Sequence, residues 1–124
     1  MTTAARPARH LTLGRKGEEI AARHMRKLGF VVLSRNWRCR QGELDLVLTD
    51  GRTLVICEVK TRTRDSFGDP AEAVTEDKIA RIRRLAGQWL SVHRVGWCRL
   101  RFDVVAVYSE PGGEARVRHI PGAF

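Results

Sequence analysis

The residues best suited to chemistry are acids set inside two neighbouring β-rich runs. In GELDLVLTDGRTLVICEVKTRT (42–63), Glu43, Asp45, Glu58 and Lys60 lie within the apolar segments and not at their ends. Carboxylates placed opposite one another across strands repel, so a fold gains from them only if positive charge compensates. Lys60 supplies one charge, and a divalent cation would supply more. Ligand sets made of oxygen atoms alone suit Mg²⁺ or Mn²⁺ and not zinc.

The length of the turn between the two strands decides which of these side chains meet. Side chains alternate along a strand, so Glu43 and Asp45 share one face of the first strand, and Glu58 and Lys60 share one face of the second. A two-residue loop would place Glu43 opposite Glu58, and a four-residue loop would place Asp45 there. In both registers all four groups project from one face, whereas a three-residue loop without a bulge would separate them.

A solvated hairpin face with incidental ion pairs is the competing interpretation of these charges. Val47, Leu54 and Ile56 fall on the same predicted face as the acids. Such apolar neighbours indicate partial burial, where unpaired carboxylates are costly. The pattern therefore favours a site that is charged and partly enclosed.

The first predicted helix offers a further acid. Glu18 lines up with Ala21, Met25 and Leu28 along the border of the apolar stripe, whereas Glu19 shares the solvent face with Ala22. Glu18 is therefore the acid that can reach toward the sheet. An ordinary N-terminal acid stabilised by the helix dipole is the alternative, and spacing alone leaves both open.

The surrounding pattern predicts the elements that must position these residues. Apolar residues at helical spacing predict two helices, over 13–28 and 75–92, the second capped by Thr75. β-rich runs, with a turn at Asp50-Gly51, predict four strands and a short edge strand, over 30–37, 43–49, 53–61, 100–109 and 115–120.

The order of these elements predicts the fold class. An α-β-β-β-α-β order with short early connections indicates an antiparallel meander, followed by a crossover helix that lays the fourth strand parallel to a neighbour. The expected fold is α/β, with a mixed central sheet flanked by helices. Residues 1–10 are predicted to form a flexible basic arm, and residues 11–124 a single domain.

Composition limits the classes of function. The chain has 124 residues and a formal net charge of +9, which favours a polyanionic partner such as nucleic acid. No segment approaches the roughly 20 apolar residues of a membrane span, and the first residues lack the apolar core of a secretion signal. Three cysteines without C-x-x-C spacing indicate buried thiols in a reducing, cytoplasmic setting.

The acidic hairpin resembles a known nuclease signature. Asp45, followed after a short hairpin by Glu58-Val59-Lys60, is similar to the PD-(D/E)xK motif, with Leu44 where that motif has proline. The predicted element order is similar to the restriction-endonuclease-like core. Archaeal Holliday-junction resolvases have a similar layout, with an acid on the first helix.

More closely, the chain resembles the YraN family of small bacterial proteins, which is predicted to be nuclease-like. The stretches that carry this resemblance cover most of the chain: GRKGEEIA (14–21), RNWRCRQGELDLV (35–47), VICEVKTRT (55–63), GDPAEAV (68–74) and RFDVV (101–105).

The resemblance implies a metal-dependent nuclease that hydrolyses phosphodiester bonds in DNA, including branched or structured DNA. A non-catalytic nucleic-acid-binding module that retains the fold is the alternative. In the nuclease, Asp45, Glu58 and the backbone carbonyl of Val59 would hold Mg²⁺ or Mn²⁺. Lys60 would orient or activate the attacking water, or stabilise the developing charge.

Other residues have less direct parts in this expectation. Glu18 matches the acid of the first helix, and Glu43 would bind a second metal or hold Lys60 or an arginine. Resolvase-like nucleases are often dimers, so a homodimer is a further expectation from the resemblance. Basic residues after Lys60 and on the second helix are candidates for contacts with the phosphate backbone: Arg62, Arg64, Lys78, Arg81 and Arg84.

Overall fold

The computed structural model describes residues 9–63, 70, 74–109, 112 and 114–124. The elements in chain order are α1 (Arg9–Lys27), β1 (Val31–Cys39), β2 (Gly42–Thr49), β3 (Thr53–Thr63), α2 (Glu76–Val92), β4 (Arg99–Ser109) and β5 (Arg116–Ile120). None of the described helices is long and apolar enough to cross a membrane.

The five strands form one mixed sheet in the order β1-β2-β3-β4-β5. The first three strands form an antiparallel meander. β4 returns through α2 to lie parallel to β3, and β5 adds to the far edge antiparallel to β4. The predicted α/β class, the mixed sheet and the parallel crossover strand are confirmed.

α2 covers one face of the sheet. Its N-cap is Thr75, whose hydroxyl accepts a hydrogen bond from the backbone N–H of Lys78, as the sequence predicts. Ile82, Leu85 and Trp89 of α2 are buried. They pack in one cluster with apolar residues of the sheet, among them Val47, Leu54, Ile56, Phe102 and Val104. This sheet face is therefore the one predicted to carry the acidic site.

α1 covers the opposite face of the sheet. Ala21, Ala22 and Met25 are fully buried there, packed against a cluster that includes Leu46 and Cys57. The sequence pattern placed Ala22 on the solvent side and Leu28 in the stripe. The structure reverses both, because α1 ends at Lys27 and Leu28 is 54% exposed.

α1 approaches β3 closely at a glycine. A Cβ atom built on Gly17 would collide with the Thr61 hydroxyl oxygen, so a larger residue there would require a shift of the helix or of Thr61. Helix α1 begins at Arg9, four residues before the predicted start, so Arg9 and His10 of the predicted arm are helical. The rest of that arm, residues 1–8, lies outside the described residues.

A buried carboxylate fixes the C-terminal segment to β4. Asp103 is fully buried and accepts hydrogen bonds from Arg101 at 2.8 and 2.7 Å and from the backbone N–H of Gly122 at 2.9 Å. His119 Nε2 lies 2.7 Å from the same carboxylate. Burial opposes ionisation of Asp103, but these contacts outweigh it and lower the pKa. The network ties the C-terminal segment to β4 at the position where Asp103 pairs with Cys57 of β3.

Candidate functional site

The turn between β2 and β3 sets the register of the acidic hairpin. Thr49 pairs with Leu54, and the pairing continues to Leu46 and Cys57. Carried one residue further, this register places Asp45 opposite Glu58, which confirms the four-residue-loop alternative. Asp50 stabilises the turn, because its carboxylate accepts hydrogen bonds from the backbone N–H groups of Arg52 and Thr53 at 2.8 and 2.9 Å.

The two strands stop pairing at the acidic pair. The ladder between β2 and β3 ends at Leu46 and Cys57, although β3 continues to Thr63. Beyond that point, the Asp45 carboxylate accepts the backbone N–H of Val59 at 2.8 Å. A side chain thus replaces the strand carbonyl as the acceptor. This hydrogen bond holds the Asp45 carboxylate where the two strands separate, next to Glu58.

A local break in the side-chain alternation isolates Asp45 from Glu43. Leu44 packs in the α2 cluster and Leu46 in the α1 cluster, although residues two apart on a regular strand share a face. On β1, Asn36 lies between the partners of these two leucines and has φ 52°, in the left-handed region. The irregularity therefore involves both strands at the position of Asp45.

Glu43 is consequently not part of the acidic cluster that the sequence predicted. It forms an ion pair with Arg38 of β1 at 3.0 Å, and its side chain is 46% exposed. Glu43 and Arg38 are cross-strand partners. The expectation that all four charged groups project together fails for Glu43, because regular alternation does not extend from Asp45 back to Glu43.

Asp45 and Glu58 form a close carboxyl pair. Burial, the nearby Glu58 carboxylate and a hydrogen bond between the two side chains raise the pKa of Asp45 to about 7, and the N–H of Val59 offsets part of this effect. The more distant Glu18 carboxylate adds a smaller repulsion in the same direction. The pair therefore keeps a proton to a higher pH than an isolated aspartate would.

Glu58 is buried and carries two lysine contacts on a single oxygen. Lys78 Nζ lies 2.5 Å from Glu58 Oε2, and Lys60 Nζ lies 3.4 Å from the same atom. Lys60 follows Glu58 by two positions on β3, while Lys78 comes from the first turn of α2. The two ammonium groups thus stabilise the carboxylate in the absence of other cations.

The pKa values of the two lysines shift in opposite directions at this shared contact. Burial and the neighbouring Lys78 lower the pKa of Lys60, although Glu58 acts against them. For Lys78, burial acts against the charged form, but the contacts with Glu58 outweigh it and raise the pKa. Lys78 is therefore the firmer counter-ion of Glu58, and Lys60 is the lysine that gives up its proton more readily.

The two acids of helix α1 have different neighbours. Glu19 is half-exposed and forms ion pairs with Arg23 at 3.0 Å and Arg35 at 2.7 Å. Glu18 is partly buried and lies close enough to act on Asp45. The close approach of Gly17 to Thr61 brings this part of the helix to the sheet. Glu18 is thus at the edge of the site, and Glu19 is outside it.

The basic residues that the sequence predicts to contact nucleic acid do not share one environment. Arg81 and Arg84 are exposed on α2, and Arg62 is partly buried near the end of β3. Lys78 is bound to Glu58, so it belongs to the acidic site. Arg64 lies outside the described residues.

The contact of Lys78 with the acidic pair is the feature of the site that the sequence pattern did not reveal. Its signal was available: in a β-α-β crossover, the helix must start near the carboxyl end of the first strand, and Glu58 and Lys60 lie in that part of β3. Thr75 as N-cap places Lys78 in the first helical turn, at the same end of the sheet.

The oxygen atoms available for a metal are few. Within the part of the chain that the structure describes, no three His, Cys, Asp or Glu side chains come together closely enough to enclose a metal ion. Asp45 and Glu58 offer two carboxylates, and the backbone carbonyl of Val59, the residue after Glu58, is a further candidate oxygen. Mg²⁺ is commonly held by one or two carboxylates, with waters and substrate phosphates as its other ligands.

Comparison with known proteins identifies close relatives. The model of an uncharacterised protein family, UPF0102, matches residues 17–107. A UPF0102 protein of Frankia alni is 58% identical over 90% of this chain and 93% of its own length. Those of Acidothermus cellulolyticus and Nocardia farcinica are 47% and 48% identical, each over 99% of this chain and 98% and 97% of their own lengths. The matched region contains the whole acidic pair and both lysines.

Proposed function

This chain belongs to the uncharacterised protein family UPF0102, also called YraN, and we propose that it is a metal-dependent nuclease that hydrolyses phosphodiester bonds in DNA. We place its domain among the restriction-endonuclease-like folds, because the sheet order, the crossover helix and the acidic hairpin all suit that assignment. Branched or structured DNA is the preferred substrate in this proposal. Asp45, Glu58 and Lys60 are its central residues.

One observation carries the proposal: the buried carboxyl group of Glu58 and the partly buried one of Asp45 meet where β2 and β3 separate, beside a lysine. Asp45 and Glu58 are within hydrogen-bonding reach, and the pKa of Asp45 is raised to about 7. A fold gains nothing from such a pair, because each charge opposes the other in a partly buried setting. Strongly perturbed carboxyl groups beside a charged partner are typical of functional sites.

The donor set fits a hard divalent cation. Asp45 and Glu58 supply carboxylate oxygens and Val59 a backbone carbonyl, which suit Mg²⁺ or Mn²⁺ in a site completed by waters and phosphate oxygens. Once bound, such an ion lowers the pKa of a coordinated water and offsets charge on the phosphate. Glu58 would exchange its contact with Lys78 for the ion.

The lysines would act on the reacting phosphate and its water. Lys60 is held on the same face as Glu58, and its lowered pKa makes it the better group to accept or return a proton. Lys78 remains charged and would stabilise negative charge that develops at the phosphate. Glu18 is placed to orient a water at the edge of the site.

Exposed arginines supply the electrostatic part of substrate binding. Arg81 and Arg84 lie one helical turn apart on the outer side of α2, whose first turn carries Lys78. Arg62 follows Lys60 by two residues on β3. Together with a net charge of +9, these residues would attract a phosphate backbone toward the acidic pair.

A binding module without catalysis is the second candidate, and one observation favours it. Glu58 already has two lysine partners, which compensate its charge without a metal. In that function, Asp45 and Glu58 would fix the hairpin and the lysines, and nucleic acid would be bound but not cut.

A cleavage screen distinguishes the two functions. Purified protein is incubated in Mg²⁺ or Mn²⁺ with single-stranded, duplex, flap and four-way DNA, and with matched RNA. The nuclease predicts cleavage of at least one substrate by the wild type and none by Asp45→Asn. Tight binding of these substrates without cleavage in either metal would contradict the nuclease function and support the binding module.

A further inference from the structure

A second concave surface lies between α1 and the strands β3 to β5, apart from the carboxyl pair. It encloses about 820 Å³, within the usual range of ligand sites. Helix α1 forms one wall, and the carboxyl ends of the parallel strands β3 and β4 form another. Neither Asp45 nor Glu58 lines this cleft, so the proposed chemistry does not account for it.

The rim of the cleft is basic. Lys16, Arg23 and Lys27 line it from α1, against Glu114 on the opposite side. Arg23 is also bound to Glu19 at 3.0 Å, so we assign Lys16 and Lys27 as the cations of the rim that meet a ligand. Their side chains are exposed, and about three turns of helix separate them from one another within the same wall.

The floor of the cleft is apolar. Ile20, Val107, Ala115 and Val117 line it, and all four belong to the cluster that packs beneath α1. Thr61 and Ser109 add hydroxyl groups at the ends of β3 and β4. His24 also lines the cleft, and burial, His119 and Lys27 lower its pKa, so it is uncharged at neutral pH.

The cleft begins next to the carboxyl pair. Gly17 and Thr61 line it, and they are adjacent in the chain to Glu18 and Lys60. Because a Cβ atom at Gly17 would collide with the Thr61 hydroxyl, helix and strand are in close contact here. Lys60 and Thr61 point to opposite faces of β3, so the cleft lies on the α1 side of the strand and Lys60 on the α2 side.

We propose that this cleft binds a single-stranded segment of the nucleic acid substrate. Phosphates would lie at Lys16 and Lys27, and unstacked bases or sugars would lie over the apolar floor. A duplex presents phosphates outward and keeps its bases stacked inside, so it would leave that floor uncovered. The inference rests on the proposed nuclease function and specifies its substrate as DNA with a single-stranded arm.

Binding without metal tests the cleft independently of cleavage. A fluorescein-labelled oligothymidylate is titrated in EDTA with wild type, with Lys16→Gln/Lys27→Gln, and with Arg52→Gln/Arg99→Gln. The control pair removes the same charge at the opposite end of β3 and β4, where Thr53 pairs with Arg99. All four substituted side chains are exposed, and thermal melts verify that the variants fold.

If the cleft binds the strand, Lys16→Gln/Lys27→Gln should weaken binding about tenfold and reduce the slope of log affinity against log salt by about 1–2. The arginine pair should change affinity less than about twofold. Equal losses of affinity in both variants would contradict the proposal, because net charge alone would then explain binding. Absence of binding by the wild type would also contradict it. An equal loss on a matched duplex would overturn the assignment to single strands.

The outcome separates this inference from the nuclease. If no substrate is cut but the lysine pair selectively weakens binding, the nuclease fails and the cleft stands. If cleavage occurs and the lysine pair binds as the wild type does, the cleft fails and the nuclease stands.

Discussion

The Asp45 carboxylate accepts the backbone N–H of Val59 at 2.8 Å, just beyond Leu46 and Cys57, the last paired residues of β2 and β3. A carboxylate therefore occupies the place of a strand carbonyl, next to the buried Glu58. This arrangement is costly for the fold and available to a cation, and its consequences for stability, metal binding and cleavage can each be measured.

Replacing Asp45 with asparagine should stabilise the protein above neutral pH. The pKa of Asp45 is about 7 in the fold, against 3.8 for an unperturbed aspartate, so native-state stability falls as pH rises between these values. An asparagine side chain keeps an acceptor for the Val59 N–H and carries no charge. At pH 8 we expect the free energy of unfolding of Asp45→Asn to exceed that of wild type by about 1–3 kcal/mol. At pH 4 the two values should differ little.

Urea denaturation at both pH values measures this difference. Glu43→Gln is the matched control, because it removes the same charge from an exposed ion pair and should change stability by less than about 1 kcal/mol. A destabilised Asp45→Asn at pH 8 would mean that the carboxylate contributes favourably to the fold and is not strained by Glu58.

Divalent metal should stabilise the wild-type fold. A ligand bound to the native state at about 100 times its Kd contributes about 2.7 kcal/mol, which raises Tm by several degrees. Because Asp45 must lose its proton to bind metal, the effect should weaken as pH falls below about 7. Thermal melts with and without Mg²⁺ and Mn²⁺ measure it.

Asp45→Asn should lose the metal-dependent rise in Tm, and Glu43→Gln should retain it. The same rise in Asp45→Asn would place the metal elsewhere on the protein.

Loss of either lysine should preserve or tighten metal binding, but loss of Lys60 should also slow cleavage. Lys78 lies 2.5 Å from Glu58 Oε2, so Lys78→Gln should free that oxygen and tighten metal binding severalfold. Lys60→Ala should also preserve or tighten metal binding, but cleavage should fall by about 10²–10⁴, as expected for loss of a general acid or base. Metal titrations and single-turnover rates provide the two readouts. Cleavage by Lys60→Ala at the wild-type rate would remove this lysine from the mechanism.

Gly17 should tolerate alanine only when Thr61 is shortened. Alanine gains about 1 kcal/mol over glycine inside a helix, but its Cβ would collide with the Thr61 hydroxyl oxygen. We therefore expect Gly17→Ala to destabilise wild type and to stabilise a Thr61→Ala background. A double-mutant cycle in urea measures the coupling, and additive effects would show that helix and strand are not in contact there.

The sequence patterns that predicted the fold correctly were those with a local physical cause. Thr75 caps α2 because its hydroxyl reaches the Lys78 N–H, and Val47 and Ile56 face α2 because strands alternate. Asp45 and Glu58 were brought together by the same alternation, once the four-residue turn fixed the register.

The features that sequence patterns missed depend on the backbone and on tertiary position. Glu43 leaves the cluster because alternation breaks at Asn36 and Asp45, and no residue pattern requires that break. Lys78 reaches Glu58 because α2 starts beside the end of β3, a contact between two consecutive elements that the spacing within either one does not reveal. The spacing of residues along the sequence alone identified neither relationship.

The central claim, that Asp45 and Glu58 form a metal-dependent catalytic site, is tested most directly by one single-turnover measurement. Excess wild type, Asp45→Asn and Glu43→Gln are each mixed with the best-cleaved DNA in Mn²⁺, and product is followed with time. We predict metal-dependent product with wild type and Glu43→Gln, and at least about a 10³-fold slower rate with Asp45→Asn. Equal rates for Asp45→Asn and wild type, or no product from wild type on any DNA, would contradict the claim.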